Sequence, residues 1–338
     1  MNIGILGAGS WAIALAVLLH KKGHKINMWE FNARDASMLS EKREHPVKLP
    51  GIHLPEDIVI STDIASTVAF GQMVICAVPS QTMRATMKSV VANTSKDTID
   101  NVEGWVIVAK GIEIGTLKLM TDVLQEEIPG LTADKVLVLS GPSHAEEVSR
   151  DIPTTIVAAS ENLKLAEKVQ TEFTTDAFRI YTNTDIRGVE LSSSVKNVIA
   201  LAAGICDGLG LGDNTKGALL TRGIAEMMRL GKKMGAKIET FSGLAGIGDL
   251  ITTCISKHSR NRHFGELIAA GLSLDEALAK MTMVAEGVTT TKSVYELSKK
   301  LEIEMPITEG VYKTLFEGKN VKAAARDLMV RDVKPEWW

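Results

Sequence analysis

Short apolar runs rich in β-branched residues alternate with helix-period segments through the first half of the chain. Strand-like runs fall at residues 2–6, 25–30, 58–61, 73–78, 105–109 and 136–140, and continue at 154–159 and 178–181. Between several of them apolar positions recur three and four residues apart, as at 10–22 and 80–92, which marks amphipathic helices. Strand and helix in alternation predict an α/β fold, a parallel sheet doubly wound with helices on both faces. The one long early loop is 45–55, rich in Pro and His. From about Thr184 the texture changes: the period is helical throughout, proline nearly vanishes until Pro306, and glycine joints such as 208–212 separate the helices. A boundary near 184–190 divides the chain into a first domain, 1–187, and an all-α C-terminal domain, 188–338. No internal repeat or low-complexity tract interrupts it.

Bulk properties narrow the class. A length of 338 residues suits two domains, and 45% hydrophobic residues with a mean hydropathy of +0.09 describe a folded protein. With 38 basic against 41 acidic residues, net charge −3, no nucleic-acid partner is expected. An anionic ligand would have to be held by a few placed cations. Cys76, Cys206 and Cys254 are odd in number and far apart, which gives no disulfide framework and fits a reducing cytoplasm. No apolar run approaches the roughly 20 residues that span a bilayer, and the chain enters a strand with no charged leader. The expectation is a cytoplasmic protein with no membrane insertion.

The first candidate chemistry is the run Gly7-Ala8-Gly9-Ser10-Trp11-Ala12. A lone G-x-G-x-x-[GA] is a weak signal, but here an apolar strand precedes it and an apolar helix follows, as a Rossmann-type dinucleotide site requires. Gly7 permits the sharp turn, and Gly9 lets the backbone approach a pyrophosphate at the positive end of the helix. Ala12 takes the third position, which governs helix–strand packing, where one methyl is tolerable. Glu30 ends the second strand 23 residues beyond Gly7, where a carboxylate holds ribose hydroxyls.

Several residues further along carry two readings each. Lys196, in S-S-S-V-K-N at the expected start of an otherwise apolar helix, would be poorly solvated, with its pKa lowered toward the acid–base range. The commoner fate of such a lysine is to snorkel to solvent. Lys110, in A-K-G-I-E, follows a strand at the end where ligands collect, or is a loop lysine. Gly141, Pro142 and Ser143 suggest a rigid turn presenting backbone N–H and a hydroxyl. Asp249, in G-I-G-D-L, reads as a helix N-cap or a functional carboxylate. Ser259-Arg260-Asn261 offers a hydroxyl, a guanidinium and an amide at a helix start, a phosphate cradle or a cap with a surface arginine. His258 and His263 lack metal-type partners, so no metal site is expected. Met227 and Met228 read as core, and the final Trp337-Trp338 as a docking end.

In order and spacing, GAGSWAIALA, AVPSQ, AKGIE, LSGPSHAEEV, ELSSSVKNVIALAAGICDGLGLGDNTKGAL, TRGIAEM, LAGIGDLITTC and SRNRHFGE resemble the bacterial-type NAD(P)-dependent glycerol-3-phosphate dehydrogenases. The likeness runs from about Asn2 to Glu317, and the V-K-N, G-I-G-D-L and S-R-N blocks together are highly specific. The resemblance implies reversible reduction of dihydroxyacetone phosphate, a small phosphorylated substrate, to sn-glycerol 3-phosphate with NADH or NADPH, supplying glycerophospholipid synthesis. It implies that Lys196 is the catalytic residue, donating the proton in reduction and accepting it in oxidation. Substrate contacts fall to Lys110, Gly141, Ser143, Lys196, Asn197 and Asp249, with Ser259, Arg260 and Asn261 on the phosphate. Cofactor contacts fall to Gly7, Gly9, Ser10, Trp11, Glu30, Phe31, Lys110, Ala145, Arg260, Val284 and Glu286. His144 has no such role there and reads as a turn residue. A homodimer is expected.

Two rival readings stand beside this one. Dehydrogenases of the 6-phosphogluconate or hydroxyacyl-CoA type also carry a helical second half, but not this V-K-N…G-D-L…S-R-N order. A non-catalytic nucleotide sensor would lack Lys196 or Lys110. On the cofactor, Asn32 stands where many NADPH-preferring relatives carry a basic residue, and Glu30 repels a 2′-phosphate. Phe31 is placed to cover the adenine, and Arg34, two residues beyond Asn32, has the reach to swing back and restore part of the NADPH use. NADH is therefore expected to be favoured, by about tenfold or ~1.4 kcal/mol.

Overall fold

The structure is a computed structural model that describes residues 1–336; Trp337 and Trp338 lie outside the described residues. Each run read as extended is a strand, with ends moved by one or two residues. They are β1 (Asn2–Leu6), β2 (Lys25–Trp29), β3 (Val59–Ser61), β4 (Met73–Cys76), β5 (Gly104–Ile107), β6 (Val136–Ser140), β7 (Thr154–Ala159) and β8 (Phe178–Asn183). They form one sheet in the order β3-β2-β1-β4-β5-β6-β7-β8. Alternate side chains serve opposite faces. Ile3, Ile5, Met73 and Ile75 join one core cluster, while Leu6, Val74 and Cys76 join the other. Both faces of the central strands are buried, which is why these read as continuous apolar runs, while β8 at the edge alternates buried and exposed residues.

The expected all-parallel sheet needs one correction. β1 to β6 pair in parallel, but β7 runs antiparallel to β6, and β8 is parallel to β7. A parallel return needs a crossover element long enough to carry the chain back along the sheet. The link from β6 to β7 holds only the four-residue helix Ala145–Val148, so the chain turns round instead.

After β8 every element is helical. The 23-residue helix Ile186–Gly208 is buried along most of its length. Gly212–Lys233, Asp249–Ile255, Arg260–Ala269 and Glu286–Lys300 pack around it. A Cβ on Gly204 would stand 1.8 Å from the Arg262 carbonyl oxygen, and one on Gly265 2.2 Å from that of Leu201. Only glycine at both places lets these two helices touch backbone to backbone. Glu190 ties this central helix to the first half, accepting from the Thr121 N–H at 3.0 Å and its hydroxyl at 2.5 Å.

Two helical stretches, 186–208 and 238–255, are long and apolar enough by length and composition to cross a membrane, against the expectation of no such run. In the first, 89% of the most apolar window is buried inside the protein. It is the core helix of the second half, apolar because helices surround it.

Candidate active site

The site begins at the first turn. Gly7 has φ 107°, and a Cβ there would press on the Ala77 carbonyl oxygen at 3.0 Å. A Cβ on Gly9 would meet nothing within 4 Å, so the space in front of that residue is open. The helix Ser10–Lys21 behind it has no side-chain cap, and its first intrahelical bond is Ile13 N–H to the Gly9 carbonyl. Its leading N–H groups thus face outward as an anion site. β1 and β4, flanking the turn, mark the point where the strand order reverses, the usual ligand crevice of such sheets. At the end of β2, Glu30 is 8% exposed and accepts from the Asn32 N–H at 3.0 Å. Phe31 beside it is 80% exposed, edge-on to Trp29. These residues fit the pyrophosphate and the adenosine half of a dinucleotide.

A second group of side chains meets beyond the carboxyl ends of β5 and β6. Lys110, just past β5, donates to Asp249 Oδ2 at 2.9 Å and lies 3.5 Å from the Gly141 carbonyl oxygen. Lys196 donates to Asp249 Oδ1 and to Thr253 Oγ1, both at 2.6 Å. Asp249 therefore bridges two ammonium groups, one on each carboxylate oxygen. Both Lys196 and Asp249 are buried. Burial pushes the Lys196 pKa down to about 8; Lys110 lowers it further, and Asp249 opposes the shift. For Asp249 burial acts to raise the pKa, but the two lysines outweigh it and the carboxyl stays ionised below its ordinary range.

Two local readings change here. Lys196 sits in the middle of Ile186–Gly208, not at a helix start. Asp249 is the first residue of its helix but does not cap it; the cap position is Gly248, and the carboxylate is spent on the lysines. The π-helical turn Leu244–Gly248 leads into Asp249, a distortion often found at functional sites.

Asn197, next to Lys196, accepts from Asn261 Nδ2 at 3.0 Å, and Asn261 Oδ1 accepts from the Gly287 N–H at 2.9 Å. Ser259 caps Arg260–Ala269, accepting from the Arg262 N–H, and Arg260 is exposed at that helix start. A cleft of about 180 Å³ opens there, lined by Lys257, His258, Ser259, Arg260, His263 and Lys280 with residues 281–283. It has no acidic residue in its wall. From the same loop, Met283 reaches the Ser10 hydroxyl at 3.3 Å, and Val284 is half exposed. The helical half thus closes over the nucleotide turn. Glu286 accepts from the Ser80 N–H at 3.1 Å and its hydroxyl at 2.5 Å.

The remaining assignments sort plainly. Ala145 is buried at the start of its short helix, and the Ser143 hydroxyl donates to the Gly141 carbonyl. Trp11 is half-buried against Phe178. The His144 ring lies 5.8 Å from that of His258, tilted by 54°, with its pKa lowered by burial and then by Lys196. Met227 is buried, and Met228 packs at the edge of the core. Among the described residues, no three His, Cys, Asp or Glu side chains are placed to hold a metal ion. Sequence reasoning passed over Thr253, Ser80 and Lys48. Thr253 alone had a local signal, since it follows Asp249 by four residues and so shares its helix face.

Comparison with known proteins gives the family. Residues 2–166 match the family model for the NAD-dependent glycerol-3-phosphate dehydrogenase N-terminus, and 185–326 match that for its C-terminus. A glycerol-3-phosphate dehydrogenase [NAD(P)+] of Pelodictyon phaeoclathratiforme is 51% identical over 338 residues, covering 99% of both chains. The enzyme of that name from Fusobacterium nucleatum is 48% identical, covering 99% of this chain and 98% of its own. The crystal structure of the Coxiella burnetii glycerol-3-phosphate dehydrogenase superposes with TM-score 0.91 at 36% identity, covering 97% and 98% of the two chains. This chain belongs to the NAD-dependent glycerol-3-phosphate dehydrogenase family.

Proposed function

We propose that the chain reduces dihydroxyacetone phosphate reversibly to sn-glycerol 3-phosphate with NADH or NADPH, a product that feeds glycerophospholipid synthesis. The observation that carries the residue roles is the Lys196–Asp249–Lys110 cluster beyond the carboxyl end of β5, in which Lys196 and Asp249 are buried and Lys110 is partly exposed. In reduction a bound nicotinamide supplies the hydride to the carbonyl carbon. Lys196 donates its proton to the alkoxide as that oxygen gains charge, and takes the proton back in oxidation. Asp249 holds the Lys196 ammonium in place, and Lys110 polarises the carbonyl from the other oxygen's side. Asn197, Gly141 and Ser143 hold the carbon chain, while Ser259, Arg260 and Asn261 take the phosphate. Gly7, Gly9, Ser10, Trp11, Glu30, Phe31, Ala145, Val284 and Glu286 serve the nucleotide.

This reading uses 1–187 as the NAD(P)-binding domain and 188–338 as the substrate domain. A cytoplasmic setting is supported by three buried, unpaired cysteines. A homodimer is part of the same reading. Ile247, Ile251 and Ile255, 40%, 41% and 57% exposed at four-residue spacing, offer a face for it.

Two expected results test the roles. Arg260→Ala raises KM for dihydroxyacetone phosphate by about 10–100-fold, since a charge-assisted bond is worth ~1.5–3 kcal/mol. Turnover of unphosphorylated dihydroxyacetone, measured alongside, is insensitive to the change. An unmoved KM places the phosphate elsewhere. The second result is a pH profile. Burial disfavours the Lys196 ammonium, so its proton leaves near pH 8. Reduction needs the protonated form, and its kcat/KM falls above that pH; oxidation needs the amine and rises to a plateau there. Profiles flat from pH 7 to 10 contradict the assignment.

A further inference from the structure

Lys48 lies in the loop 45–55, yet its ammonium stands against the carboxylate that ends β2. Nζ is 3.4 Å from Glu30 Oε2 and donates to Asp35 Oδ2 at 3.1 Å. The backbone fixes it there. Its carbonyl oxygen accepts from the Ser10 hydroxyl at 2.5 Å, and its N–H donates to His45 Nδ1 at 3.1 Å. Ser10 is the first residue of the helix behind the nucleotide turn. One residue thus ties together the turn that faces the pyrophosphate and the carboxylate that faces the adenosine ribose.

A carboxylate in this position accepts hydrogen bonds from free ribose hydroxyls and repels a phosphate. Here it carries its own counter-ion. The side chains of Lys48 and Glu30 are 24% and 11% exposed, so the ammonium reaches the surface while the carboxylate stays largely covered. An ammonium is a compact charge with three donors on a flexible stem. It can keep one contact to Glu30 and turn the others to an incoming anion. His45 Nε2 lies 3.7 Å from Asp35 Oδ2 and is buried with no hydrogen-bond partner. Asp35 therefore has a second donor at hand when Lys48 turns away. Asn32 Oδ1, by contrast, is taken up in capping Ala33–Lys42, accepting from the Arg34 and Asp35 N–H groups.

We propose that Lys48 sets how this chain treats the 2′-position of the adenosine ribose: it screens Glu30 and is the cation that receives a 2′-phosphate. The proposal rests on the dinucleotide site described above. Glu30 keeps NADH the better partner by about tenfold, and Lys48 holds the difference to that size.

The test is direct titration of the full-length protein with 2′,5′-ADP and with 5′-AMP, for wild type, Lys48→Met and Lys48→Arg. Steady-state kcat/KM is measured with NADPH and with NADH on the same samples. In Lys48→Met the affinity for 2′,5′-ADP relative to 5′-AMP falls about tenfold, as does kcat/KM for NADPH relative to NADH, the loss of one charge-assisted contact. Lys48→Arg restores most of both ratios. Ratios that stay fixed in Lys48→Met, whether both nucleotides weaken together or neither does, overturn the proposal. Titration involves no substrate. A wild type that binds both nucleotides but does not reduce dihydroxyacetone phosphate overturns the activity, while the Lys48 ratio is still read directly.

Discussion

Lys196→Ala lowers kcat by about 10²–10⁴-fold, the usual range for a positioned acid–base group, and leaves nucleotide affinity intact. The expectation follows from where the ammonium sits. It is buried, it is held by Asp249 and Thr253 at 2.6 Å each, and burial brings its pKa to about 8. At neutral pH it is charged and can still release its proton to an alkoxide. Removing it takes away the donor but none of the residues at the nucleotide turn, since Gly7, Gly9 and Glu30 lie at the ends of β1 and β2. Asp249 keeps Lys110 as a partner, so the carboxylate is not stranded. Stopped-flow single turnovers with dihydroxyacetone phosphate, beside an NADH titration of the variant, check both halves. Near-wild-type turnover removes Lys196 from the chemistry; lost NADH binding makes its role structural.

Asp249→Ala has the next largest effect and works differently. It leaves Lys110 and Lys196 facing the same space with no counter-charge. Breaking a buried ion pair from one side typically costs about 3–5 kcal/mol, so thermal stability falls clearly. The pKa of Lys196 also falls, because the group that opposed its desolvation is gone. The lysine is then largely neutral at pH 7, and reduction loses its proton donor by about 10²-fold or more. Asp249→Asn separates the two effects. It keeps the shape and a hydrogen bond, so the fold holds, while the pH above which reduction fails moves down by about a unit or more. An unshifted profile in the Asn variant shows that Asp249 does not govern the Lys196 proton.

Much of this was legible in the chain because period and burial coincide in the first half. Central strands covered on both faces read as apolar runs, β3 and β8 at the edges as shorter or alternating ones, and all eight were located. Strand direction leaves no trace in period, and so the reversal of β7 was not legible. A helical period was legible from about Thr184, but not that one continuous helix runs from Ile186 through Lys196 to Gly208. Its first turns carry Glu190, Ser193 and Ser194, polar residues that break the apolar stripe of a core helix. Within the fold both serines donate back to the Glu190 carbonyl at 2.9 Å, and Glu190 is paired with Thr121. Polar groups satisfied inside a buried helix hide the helix, which is why Lys196 was placed at its start. Lys110, Lys196 and Asp249 were singled out in the chain and meet in the fold, whereas Ser80 and Lys48 had no motif to single them out. Ser80 and Glu286 are 206 positions apart, and Lys48 meets Glu30 only because the loop folds back over the end of β2.

The most direct measurement is the oxidation of NADH by the purified wild-type protein, followed at 340 nm, with dihydroxyacetone phosphate as substrate. The cluster of Lys196, Asp249 and Lys110 beside a nucleotide turn predicts steady turnover that saturates in the phosphorylated ketone and is far weaker with dihydroxyacetone. NADPH replaces NADH at lower efficiency. No oxidation of either nucleotide at saturating dihydroxyacetone phosphate, by a folded protein that binds them, would contradict it.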